Sequence, residues 1–129
     1  IVFQASRSAM KDKTPERIAR KINAYENLID YCLIDPSGGR GIPFDIDKSI
    51  EVYKAIKEAM PELTIGFAGG FTGENINERL TELIEKVGDN CFCIDAEGGL
   101  RDKLTEEYGN DTLNINKVRK YLENARCFF

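Results

Sequence analysis

Residues 65–75 read IGFAGGFTGEN: an apolar run, two adjacent glycines, a third after Phe71-Thr72, then the polar opening of a helical pattern. Glycine loses more conformational freedom on folding than any other residue, so a cluster of it needs a physical reason. Either the backbone turns sharply there, or it comes within hydrogen-bonding reach of something with no Cβ in the way. The same punctuation recurs upstream in LIDPSGGRG (33–41) and downstream in CIDAEGG (93–99). In all three places the glycines follow an apolar run.

Working outward, four such runs open four units of about thirty residues, the size of a βα building block. They are IVFQA (1–5), YCLI (31–34), LTIGFA (63–68) and CFCI (91–94). Short runs of this kind suit strands covered on both faces in a parallel sheet. A helical pattern follows each. Thr14-Pro15 reads as an N-cap with proline at the first helical position, and Ile18, Ile22, Tyr25 and Ile29 then form a stripe. The second helix is capped by Asp45 or Asp47, buries Ile46, Ile50, Tyr53 and Ile56, and stops before Pro61. The third runs from near Glu74 to Val87 through Ile76, Leu80, Leu83 and Ile84, with Gly88 as its C-cap. The fourth starts at Asn114 or Asn116 and carries Ile115, Val118 and Leu122. Between the last strand and that helix, the stretch that follows Gly98-Gly99 reads as a short extra helix ending at Gly109.

Strand, loop and helix repeated four times define an α/β protein. The choice lies between an open doubly wound sheet and half of a (β/α)8 barrel, whose usual length of about 250 residues is roughly twice this chain. Gly38, Gly39, Gly41, Gly69, Gly70, Gly73, Gly98 and Gly99 all fall just after strands. Three consecutive glycine-rich βα loops suit a ring of loops converging on one centre, whereas an open sheet gathers its binding loops at one switch point. Four βα units of a barrel is therefore the expected fold, one half-barrel domain over 1–129. The strand-like first residue suggests a piece that lacks its N-terminal half. Such a half would leave two strand edges open and an apolar inner face, so association with a second copy or a complementary half is expected.

Composition narrows the chemistry. With 42% hydrophobic and 31% charged residues the chain is an ordinary globular one, and a net charge of −4 without a basic stripe argues against nucleic acid. No run approaches the roughly 18–20 apolar residues of a membrane span, and no signal-peptide pattern opens the chain, so a cytoplasmic location is expected. Cys32, Cys91 and Cys93 lie in apolar runs and read as reduced, buried thiols. The absence of histidine removes Ser-His-Asp triads, Cys-His pairs and histidine metal sites. Neither a P-loop nor a G-x-G-x-x-G spacing is present, and no metal or cofactor is expected.

The rim of strand ends carries the candidate chemistry. Free N–H groups in AGGFTGEN, beside a helix N-terminus, suit an anion, and the glycines at 98–99 would share it. The bland alternative is that each glycine pair only makes a tight turn. Asp35 and Asp95 close strands just before these loops, where a barrel presents catalytic groups, although an aspartate there can also be a turn or cap residue. If Asp35 points into the barrel, alternation turns Leu33 inward and Cys32 toward the helices. Gln4, Ser6 and Arg7, at the end of the first strand, are candidate substrate ligands.

LIDPSGGRGIPFD (33–45), IGFAGGFTGEN (65–75) and CIDAEGG (93–99), in this order and spacing, resemble the closing half of phosphoribosylanthranilate isomerase. The resemblance implies a phosphate-binding barrel that performs an Amadori-type sugar isomerisation in tryptophan biosynthesis. It makes Asp35 the general acid that protonates the ribose ring oxygen and places Asp95 near the substrate. Gly69, Gly70, Phe71, Gly98 and Gly99 would hold the phosphate, and Gly38, Gly39 and Arg40 would line the substrate. Arg40 and Phe71 stand where that family more often has Thr or Ser and Leu. The family's general base, a cysteine on the first barrel strand, belongs to the half that has no counterpart here.

Overall fold

The computed structural model describes residues 1–11, 13–38, 40–88, 91–105 and 111–129. Four parallel strands form one sheet in chain order: β1 (Val2–Ser6), β2 (Tyr31–Asp35), β3 (Thr64–Ala68) and β4 (Cys93–Asp95). Registers pair Phe3 with Cys32, Cys32 with Ile65, and Phe67 with Ile94. Since successive side chains alternate between faces, these registers sort the whole sheet. Phe3, Ala5, Cys32, Ile34, Ile65, Phe67 and Ile94 face the helices. Gln4, Ser6, Leu33, Asp35, Gly66, Ala68, Cys93 and Asp95 share the other face.

The helix-covered side is the core. α1 (Arg7–Met10) is a single turn directly after β1, and α2 (Pro15–Asn23) follows with the Thr14 side chain accepting from the Arg17 N–H. α3 (Ile46–Ala59) is capped by Asp45, which accepts from the Lys48 N–H, and stops ahead of Pro61. α4 (Ile76–Val87) ends on Gly88 at φ 91°, a left-handed cap that a β-carbon would disfavour. α5 (Ile115–Ala125) is capped by Asn114. Ile34, Ile56, Ile65, Phe67, Leu80 and Leu83 are all fully buried between these layers. Each contributes about 1.5–3 kcal/mol by leaving water. Phe67 sits at the centre, stacked on Phe44 and Tyr53 and edge-on to Phe92.

Several sequence expectations are corrected. Over its described residues, the stretch after β4 is not an extra helix. A single 3-10 turn (Gly98–Leu100) leads into an antiparallel ribbon, β5 (Arg101–Lys103) with β6 (Asp111–Leu113), while Gly109 lies outside the described residues. Besides the backbone ladder, Arg101 meets Asp111 at 3.3 Å across the ribbon, and Lys117 of α5 meets Asp102 at 2.7 Å. Cys91 and Cys93 are exposed, and only Cys32 of the three is buried, because β4 is a short outer strand whose inner face is uncovered. Tyr25 falls past the end of α2 and is exposed. On α5 the predicted stripe lies partly outward: Ile115 and Leu122 are exposed, and Tyr121 and Ala125 are buried instead. The inner face is mixed rather than apolar, with Gln4, Thr64, Cys93 and Asp95 exposed on it.

Candidate functional site

At the carboxyl ends of the strands, the inner face and three βα loops enclose a cavity of about 450 Å³. Each strand delivers its last inward residue to it: Ser6, Asp35, Ala68 and Asp95. These four sit in one layer because the registers align Ser6 with Asp35 and Ala68 with Asp95.

Asp35 is buried, and its carboxylate is the best-anchored group there. Its Oδ1 accepts from the Ser37 N–H (3.1 Å), the Ser37 hydroxyl (2.8 Å) and the Gly38 N–H (2.9 Å). Gln4 Nε2 donates to Oδ2 at 2.7 Å. One oxygen thus folds the following loop around itself, while the other takes a single donor and keeps a lone pair for a further partner. Asp95, by contrast, is exposed at the far wall. Glu97 is the third carboxylate of the lining and lies 3.5 Å from Arg101. The described lining contains no lysine or arginine.

The glycines divide into two jobs. A Cβ on Gly70 would lie 2.3 Å from the Pro43 nitrogen, and one on Gly99 would lie 2.3 Å from the Phe71 carbonyl oxygen. Both residues therefore let one strand-end loop cross another at backbone contact. Gly69, Gly70 and Gly98 line the cavity as well. Among the described residues the N–H groups of Gly70 and Gly98 donate to no internal acceptor. Nearby donors are taken: Thr72 N–H bonds the Asn75 side chain, and the Glu74 and Asn75 N–H groups bond the Thr72 hydroxyl.

Below this layer Tyr31 lies across Gly66, where a Cβ would fall 1.9 Å from the phenol oxygen. Burial, then a hydrogen bond with Cys93 and the nearby Asp95, raise the Tyr31 pKa and keep its phenol neutral. On the helix side, burial pushes the Cys32 thiol up to about 12.

Of the sequence-selected residues, Asp35, Asp95, Gly38, Gly69, Gly70 and Gly98 come together on one cavity. Gly99 lies just behind it against Phe71. The Phe71 side chain is fully buried in the core, edge-on to Phe44. Arg40 is exposed and off the lining, and Arg7 lines a different cavity. Gly39 lies outside the described residues. Sequence reading missed Ser37, whose signal was the D-P-S-G turn pattern, and the Glu97–Arg101 pair, whose signal was spacing by four. Among the described residues no cluster of Cys, Asp and Glu has the makings of a metal site.

No protein-family model matches the chain, and no curated protein resembles it significantly in sequence. Among solved structures it is similar to N-(5'-phosphoribosyl)anthranilate isomerase from Pyrococcus furiosus, with a TM-score of 0.51 and 18% identity. The match covers 98% of this chain and 49% of that one, so the chain spans about half the length of the solved protein. The likeness establishes the fold: four parallel βα units, half of a (β/α)8 barrel.

Proposed function

We propose that this chain is the phosphosugar-binding half of a (β/α)8-barrel isomerase, with the strand-end cavity as its substrate site. One observation carries the reading. The loops after β3 and β4 bring the uncommitted N–H groups of Gly70 and Gly98 to the cavity that Asp35 and Asp95 share. Backbone N–H groups of this kind, close to the start of α4, stabilise phosphate oxygens. Asp35, held at Oδ1, would deliver a proton from Oδ2 to the sugar ring oxygen, breaking the ring C–O bond. Asp95 would contact the substrate from the opposite wall. The base for the adjacent C–H, and the cation that offsets the lining carboxylates, would come from a complementary half seated on the open edges of β1 and β4. A phosphorylated sugar and that second half, or a second copy, are the partners this implies.

The dense donor set on Asp35 favours a second reading, a non-catalytic phosphate-ligand module in which Asp35 only holds the loop. Asp35→Asn separates the two in a protein carrying both halves. As the general acid, its loss lowers kcat by about 10²–10⁴ with little change in KM. As a loop anchor, it lowers unfolding free energy by about 1–3 kcal/mol and there is no turnover to lose. Inorganic phosphate titrated against amide signals tests the shared part. Gly70 and Gly98 should shift first, and shifts confined to other regions would refute a strand-end anion site.

A further inference from the structure

A second cavity, of about 460 Å³, opens on the helix side of the sheet between α1 and the N-terminal ends of α2 and α3. It shares no lining residue with the strand-end cavity. Pro36, flanked by Asp35 and Ser37, forms the wall between them. Arg7, Lys11, Lys13 and Lys48 line it against two carboxylates, Asp45 and Glu51, in a chain whose net charge is −4. Two of the cations are already used. Lys13 Nζ donates to the Ala9 carbonyl at 2.6 Å, and Lys48 lies 3.5 Å from Asp45. Arg7 and Lys11 have no side-chain ion pair or hydrogen bond among the described residues. The floor is apolar, made by the half-buried Met10, Pro15 and Pro36 over the buried Ile18 and Val52.

Four cations against two carboxylates leave this concave surface net positive, and like charges gathered there focus a positive potential. The N-terminal dipoles of α2 and α3, both at this cavity, add to it. An inorganic ion would satisfy the charge and leave the apolar floor in water. An apolar molecule would cover the floor and leave Arg7 and Lys11 unanswered. We infer that this cavity binds a small organic anion with an apolar body, of the aryl phosphate or aryl carboxylate class, its charged group on Arg7 and Lys11 and its body on Met10, Pro15 and Pro36. This site stands apart from the strand-end reading, and neither depends on the other.

Amide-shift titration of the full chain with phenyl phosphate, inorganic phosphate and phenol tests it. Phenyl phosphate should shift Met10, Lys11, Ile18 and Val52 saturably, and more tightly than either fragment does. Arg7→Glu with Lys11→Glu should weaken that binding about tenfold or more, since charge reversal turns two attractive contacts into repulsive ones. Arg7→Gln with Lys11→Gln should weaken it less, and both variants should leave the Gly70 and Gly98 response to inorganic phosphate intact. Absence of saturable shifts around Ile18 and Val52, undiminished binding in the charge-reversed variant, or equal binding of phenol would each overturn the inference.

Discussion

Gly38 and Gly70 share almost the same backbone, φ 62° and 65°, in opposite surroundings. A Cβ on Gly38 meets nothing within 4 Å, whereas one on Gly70 strikes the backbone of Ile42 and Pro43. Gly38→Ala should therefore cost only the left-handed penalty, about 1–2 kcal/mol. Gly70→Ala adds a backbone clash and should cost at least about 3 kcal/mol, among the large effects of single substitutions. Urea unfolding of the two variants checks this, and equal losses would contradict the loop crossing. Cys32 supplies a pH signature. Its thiol titrates from the ordinary value of 9.0 up to about 12 in the fold, chiefly through burial. Above pH 9 the unfolded chain releases a proton that the folded chain keeps, so stability falls as pH rises through this window. Denaturant unfolding between pH 8 and 11 should show the slope, and Cys32→Ala should remove about one proton from it. At this scale the strand-end placement of Asp35, Asp95 and the glycines was legible, because strand ends and glycine pairs are local signals. The four donors on Asp35 were hidden, since Gln4 reaches it from another strand. So was the burial of Phe71, which depends on Phe44 folding over it.

Helices α2, α3 and α4 were legible because caps, apolar stripes and stop residues agreed along each segment. Thr14-Pro15, Asp45 and Gly88 mark boundaries that the structure keeps. α5 was legible in extent and misread in orientation. Val118 packs against the core as expected, but Ile115 and Leu122 only imitate a core stripe and stay exposed, while Tyr121 and Ala125 turn inward. Leu122→Lys should accordingly change the chain's unfolding free energy by no more than about 0.5 kcal/mol, while Tyr121→Ala should cost about 2–4 kcal/mol. A large loss for Leu122→Lys would place that side chain in the core. The ribbon of β5 and β6 escaped sequence reading because it has no apolar alternation. A charge pair crosses it, and pairs formed through tertiary contact leave little trace in sequence periodicity.

Across the whole molecule, several of the apolar groups that stay in water lie on its two flanks. Ile1 and Val2 lie along outer strand β1, with Tyr25 near them against Phe3, and Ile115 and Leu122 lie on α5, with Phe129 against Phe92 toward the β4 side. Among the described residues, both outer strands offer a free pairing edge, a template for another chain. A second copy closing the barrel would bring another Asp35 and Asp95 to the same mouth, so a complementary half carrying a cation suits the charge better. The fold class was legible at this scale from the period of the units together with the glycine-rich loops after their strands, whereas the mixed inner face was not. The central claim is that these four units are half of a barrel completed by a partner surface. Sedimentation equilibrium of the 129-residue, 14.5 kDa chain at micromolar concentration tests it most directly. Association, through pairing with another copy when no complementary half is present, is the expected result, and Leu122→Lys should weaken it. A sharp monomer with cooperative unfolding would mean that the four units are complete in themselves, and would contradict the claim.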